Sequence, residues 1–233
     1  MKKKKRRMKG KKNESLNFVE HLEELRKRII YILLIISISS LLIYQFSPKI
    51  LKFVNLPLSK YQPKPVFTSP VEPFINIFKL SIFLGGIISL PLILHQIWLF
   101  VSPAFTERER RVFKWVFVFF PVFFYMGILF GFIILVPLAL KILFGFGKGM
   151  MRPLISIGYY LNFIFLFSFS LGIIFNLPIL LGGLSGLGIV SPEFLISKRK
   201  FSIVGAFILS AILAPTTDIV TQIFLAIPVL ILY

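Results

Sequence analysis

Residues 29–46 read IIYILLIISISSLLIYQF, an apolar run with no charge in it, and residues 18–28 just before it read FVEHLEELRKR. The switch between the two decides the fold. Phe18, Leu22, Leu25 and Ile29 recur at helical spacing, so 18–28 is an amphipathic entry helix lying at a membrane interface. The apolar run is longer than the ~7–15 residues of a signal-peptide core and lacks a small-x-small exit, so it reads as a retained membrane span.

Working outward, the same contrast repeats. The chain of 233 residues is 57% hydrophobic, with 28 Phe and a mean hydropathy of +0.88. That excludes a soluble domain with a large core. All nine acids (Glu14, Glu20, Glu23, Glu24, Glu72, Glu107, Glu109, Glu193 and Asp218) fall outside the long apolar runs. The runs predict six helices at 29–46, 80–101, 115–140, 157–187, 201–214 and 219–233. Residues 16–233 are thus one transmembrane domain, preceded by a basic, disordered leader over 1–15. The loop 47–73 holds six prolines and is expected to be extended or turn-rich, with a short helix near Ile50 to Val54. GFGKGMMRP at 145–153 reads as another turn-rich connection. Pro91, Pro121, Pro137 and Pro178 stand inside spans and predict bent helices in a concave bundle.

Lys and Arg set the orientation. The tail with its entry helix, the 102–114 loop and the 191–200 loop carry 12, 4 and 3 of them, against 8 on the other side. RKR at 26–28 and KRK at 198–200 abut spans one and five. Both termini are therefore expected in the cytoplasm. The net charge of +18 owes much to the leader, which holds nine of the 27 basic residues. A polybasic tail suits anionic lipid headgroups. Nucleic acid would call for stacking aromatics or a groove-reading element, which this segment lacks.

Two basic-acidic clusters lie on that cytoplasmic side. In the first, His21, Glu24 and Arg28 share one helical stripe, and Glu23 and Glu24 stand four residues before Lys27 and Arg28. Spacing alone leaves a simple pairing role and a recognition role both open. In the second, SPAFTERERR at 102–111, Thr106 and Glu109 form a T-x-x-E capping box that opens span three. Capping does not exclude recognition, since a capping carboxylate keeps a second oxygen. Elsewhere in the spans Gln96 and Asn162 are expected to bond to neighbouring helices, and Asn176 to satisfy backbone groups freed by Pro178. There are no cysteines, and His21 and His95 lack ligand-spaced partners, so no metal or other cofactor is expected. No HExxH, GxSxG, P-loop or paired intramembrane Asp is present, which argues against an enzyme. A small secondary transporter is the alternative, but it needs ionisable or discontinuous-helix sites near mid-membrane.

His21-Leu-Glu-Glu-Leu-Arg-Lys-Arg28 resembles the H-L-x-E-L-R-x-R entry motif of the TatC family, the polytopic core of the twin-arginine protein translocase. The resemblance continues through Asn55-Leu-Pro-Leu58, Gln96-Ile-Trp-Leu-Phe-Val-Ser-Pro-Ala104, Glu109-Arg-Arg111, Ser191-Pro-Glu193, Ala214-Pro215, Asp218 and Gln222-Ile-Phe-Leu-Ala-Ile-Pro228. It implies an all-α, glove-like bundle of six transmembrane helices in a bacterial or archaeal plasma (inner) membrane. It also implies a receptor for Arg-Arg signal peptides of folded cargo, working in an oligomeric complex with small single-span partners of the TatA/TatB type. By motif, Glu24 and Glu109 would face the twin arginines, with His21, Arg26, Pro57, Phe100, Asn176, Asp218 and Gln222 in supporting positions. One departure stands out. Where similar proteins often carry F-E-x-P in span four, this chain has Phe175-Asn-Leu-Pro178, and Asn176 hydrogen-bonds without ionising.

Overall fold

The computed structural model describes the backbone of residues 2–61, 66–147, 154–214, 216 and 218–233, and within these the side chains from Glu20 onward except Pro192. The leader expected over 1–15, Phe18 of the entry stripe, most of the 145–153 connection, and Pro63, Pro65 and Pro215 lie outside the described residues or side chains. The fold is all-α. The elements are α1 (Lys2–Val54), α2 (Leu56–Ser59), α3 (Glu72–Val101), α4 (Glu107–Phe130), α5 (Val136–Gly145), α6 (Ile157–Ile174), α7 (Leu177–Gly186), α8 (Pro192–Ser197), α9 (Arg199–Leu213) and α10 (Ile219–Leu232). Four stretches are long and apolar enough to cross a membrane: Glu20–Ser59, Glu72–Ala104, Glu107–Gly145 and Ile157–Gly186. The last two are α4 with α5 and α6 with α7. Of 15 and 14 residues, α9 and α10 are shorter, reaching only ~21–23 Å against a ~30 Å hydrocarbon layer.

How the prolines are accommodated shapes these helices. The first helix does not stop at Phe46; it runs unbroken through Pro48, where a turn was expected, into the helix expected near Ile50 to Val54. Pro48 has no N–H for the Tyr44 carbonyl, and the buried Ser47 hydroxyl donates to that carbonyl instead at 2.7 Å. The same repair occurs between helices at Pro91, which leaves the Ile87 carbonyl of α3 without its intrahelical donor. Tyr125 of α4 donates its hydroxyl to that carbonyl at 2.9 Å. Tyr125→Phe is therefore expected to destabilise the bundle by about 0.6–1.7 kcal/mol. Thermal unfolding in detergent measures this, and an unchanged midpoint would mean that the carbonyl finds another donor.

Spans three and four are broken where single helices were expected. Between α4 and α5, residues Gly131–Leu135 form a wide π-turn just ahead of Pro137, closed by the Val136 N–H donating to Gly131 O. Span four breaks at Phe175 and Asn176, ahead of Pro178. Asn176 is buried and donates its amide to Gly172 O at 2.8 Å, a carbonyl left open because the Asn176 N–H turns to Ile173 O, and not to Ile174 O, the one that Pro178 frees. Its Oδ1 has no partner among the described residues.

The core centres on α6, which packs against α3, α4, α5, α9 and α10, while the apolar stretch of α1 is the least enclosed. Leu161, Phe167, Leu171 and Ile174 of α6 meet Leu225 of α10 there, all 1% exposed or less. Two close helix crossings frame this core. At one, a Cβ on Gly85 of α3 would stand 2.7 Å from the Ser40 backbone N of α1. At the other, a Cβ on Gly127 of α4 would stand 2.8 Å from Gly172 Cα of α6. Small residues are required where backbones approach this closely. At the end of the bundle where α3 and α6 begin, Glu72 ties the two together. Its carboxylate accepts from the Thr68 N–H (2.6 Å), the Thr68 hydroxyl (2.9 Å) and the Gly158 N–H (3.0 Å).

Candidate functional site

The antiparallel packing of α1 on α3 sets the start of the first span beside the end of the second. Two contacts lock that junction. The His21 ring stacks on Phe100 with centroids 4.4 Å apart. Arg28 donates to Gln96 Oε1 at 2.9 Å and to Glu24 Oε1 at 3.1 Å, so one guanidinium bridges α1 and α3. Of the two i,i+4 pairs that the sequence offers, Glu24 with Arg28 forms and Glu23 with Lys27 does not. Gln96 meets its expected role, since it bonds to a neighbouring helix, whereas Asn162 is exposed and bonds to no other helix among the described residues. Glu24 stays 37% exposed in its side chain, and its Oε2 has no partner among the described residues. Arg26 is exposed and likewise unpaired among them.

A short 3-10 turn, Ser102–Ala104, carries the chain from α3 to α4. There the capping box forms in full. Glu109 N donates to Thr106 Oγ1 at 3.4 Å, and Glu109 Oε2 accepts from both the Thr106 N–H and its hydroxyl at 2.9 Å. These bonds, the Thr106 N–H foremost, hold the Glu109 carboxyl below its usual range, so it is an anion at neutral pH. The group sits in the charged first turn, ahead of the apolar stretch 115–140. Its Oε1 has no partner among the described residues, which leaves one carboxylate oxygen of Glu109 open, as at Glu24. Phe105 stacks on Phe113 at 4.5 Å and stiffens this corner.

The remaining expected residues do not join this surface. Helix connectivity sends Pro57 and Asp218 to the opposite end. Pro57 stands in the first turn of α2, and Asp218 caps α10 by accepting the Thr221 N–H at 2.8 Å and the Thr216 and Thr221 hydroxyls. Burial pushes the Asp218 carboxyl up, but the Thr216 and Thr221 bonds outweigh it and the net shift is downward. Gln222 ties α10 to α9 through Phe207 O at 3.2 Å, and Asn176 sits in the α6–α7 break. No group of His, Cys, Asp or Glu among the described residues could hold a metal. The Arg28–Gln96 tether, Tyr125 and Glu72 were not singled out by sequence reasoning. Spacing gives no signal for a partner 68 or 86 residues away.

Comparison with known proteins agrees with this layout. The family model for the Sec-independent protein translocase protein TatC matches residues 20–228. The Aquifex aeolicus protein of that name is 38% identical over 92% of this chain and 90% of its own length, and the Carboxydothermus hydrogenoformans protein 36% over 95% and 91%. A crystal structure described as the twin arginine translocase receptor TatC superposes with a TM-score of 0.76 at 37% identity, covering 91% of this chain and 94% of that one. With the motifs in order along the whole bundle, this multi-pass membrane protein belongs to the TatC family of twin-arginine translocase components.

Proposed function

We infer that this translocase component is the receptor for Arg-Arg signal peptides, and that Glu24 and Glu109 are its reading acids. The observation that carries the reading is the pair of open oxygens. Each carboxylate is fixed in place through one oxygen, by Arg28 or by Thr106, and leaves the other without a partner among the described residues. A carboxylate held this way needs little further ordering to accept a guanidinium. Arginine presents a planar fork of donors that suits carboxylates, whereas lysine is a point charge, so acids at these positions separate Arg-Arg from Lys-Lys.

In this reading the chain crosses a bacterial or archaeal inner membrane six times, both termini are cytoplasmic, and the acids meet cargo on the cytoplasmic side. Small single-span TatA/TatB-type proteins then join it in an oligomeric complex. A transporter reading finds broken helices in spans three and four, but no Asp, Glu, Lys, Arg or His is among the buried residues described, so it has no charged site to work with there. Titrating the purified protein with a fluorescent signal peptide tests the proposal. At least tenfold tighter binding of the Arg-Arg form than of its Lys-Lys counterpart is expected, and equal affinities would remove the receptor reading.

A further inference from the structure

Between the second half of α3 and the first half of α4 lies a cavity of about 400 Å³ that no part of the reading above uses. Pro91 and Leu94 of α3 and Phe117 and Pro121 of α4 make its apolar wall, and His95 of α3 also lines it. Its upper rim is Trp98 and Lys114, and the same two residues begin a second cavity of about 430 Å³ shared with Glu107, Arg110 and Arg111. The two cavities adjoin at those residues, so a mostly apolar cleft opens beside a charged one along the α3–α4 groove. Trp98 marks the boundary, its ring 5.2 Å from that of Phe117, as amphipathic rings do at a membrane interface.

The charged part carries three cations against one carboxylate. Arg110 and Arg111 lie four and three residues before Lys114 on one helical face. All three are exposed and have no hydrogen bond or ion pair among the described residues. Glu107 supplies the one carboxylate in that cavity and leaves it with net positive charge. We propose that this α3–α4 groove is a binding site for an anionic phospholipid, with an acyl chain against Pro91, Leu94, Phe117 and Pro121 and the phosphate among Arg110, Arg111 and Lys114.

Charge selects this occupant over the others available. A twin-arginine peptide brings two more cations to a rim that already has an excess. A soluble anion leaves the apolar wall uncovered. A zwitterionic lipid brings its own ammonium beside three cations, whereas a phosphatidylglycerol headgroup brings none. Basic pockets between helices at an interface favour anionic headgroups for this reason. The site does not rest on the receptor reading, because it uses neither Glu24 nor Glu109.

The chain has two tryptophans, Trp98 and Trp115, and Trp115 is exposed and stacked on Phe119. In Trp115→Phe, Trp98 is the sole indole and reports on the groove. This protein is reconstituted in phosphatidylcholine vesicles containing dibrominated phosphatidylglycerol or, separately, dibrominated phosphatidylcholine. The expected result is half-maximal quenching of Trp98 at about a tenfold lower mole fraction of the anionic lipid. Coincident curves for the two lipids would overturn the proposal without recourse to any charge variant. In the combined Arg110→Gln, Arg111→Gln and Lys114→Gln protein the preference is expected to vanish, and its persistence would place the lipid elsewhere. Protection of Trp98 from both lipids alike by an Arg-Arg peptide would give the groove to the peptide and likewise defeat the lipid site.

Discussion

Glu109→Gln is expected to weaken binding of an Arg-Arg signal peptide about 10- to 150-fold while leaving the protein folded. The range corresponds to one hydrogen bond to a charged group, about 1.5–3 kcal/mol. Folding survives because the capping box needs an acceptor, not a charge. Both Thr106 donors converge on a single oxygen, Oε2, and a glutamine carbonyl accepts them equally well. The amide NH₂ then occupies the open position, where it meets a guanidinium donor with another donor. Glu24→Gln is the companion variant and is expected to act in the same direction. It also loosens Arg28, whose guanidinium then keeps Gln96 as its charge-neutral partner on α3. Thermal unfolding alongside peptide titration separates the two effects. A Glu109→Gln protein that melts normally and binds normally would make the carboxylate a cap and nothing more.

The second large effect lies in the peptide. Shortening the apolar run of the signal by two leucines is expected to weaken binding by at least as much as Arg-Arg→Lys-Lys. Two carboxylate sites supply ~3–6 kcal/mol, whereas micromolar binding requires about 8. Each fully buried leucine contributes about 1.5–3 kcal/mol, so two of them match the contribution of the arginines. On the proposed reading, the arginines select and the apolar run holds. Unchanged affinity on shortening, measured by the same titration, would instead assign the whole interaction to the polar surface and require more donors than Glu24 and Glu109 accept.

The class of protein was legible in one dimension, because exclusion of charge from long runs is a linear property. Runs of 18 or more uncharged residues have one low-energy environment, and the placement of Lys and Arg beside them suggests an orientation. The Thr106–Glu109 box and the Glu24–Arg28 pair were legible for a related reason. Both join residues three or four apart, and helix geometry brings such residues together whatever the rest of the chain does. Motif order then identified the family along the whole bundle.

Where helices end and break was less legible, since that depends on who satisfies a carbonyl. Pro48 does not end α1 because Ser47, its immediate neighbour, closes the gap, and that much could have been read locally. Pro91 needs Tyr125 from another helix, which no local pattern announces. The site divides in the same way. Sequence alone determined that acids and arginines crowd one membrane face, and that Glu109 caps a helix. Tertiary packing decided that Arg28 is drawn to Gln96, that His21 lies on Phe100, and that Trp98 and Lys114 join an apolar cleft to a cationic rim. The reason is physical: periodicity governs contacts within a helix, while contacts between helices depend on where small residues such as Gly85 and Gly127 let two backbones meet.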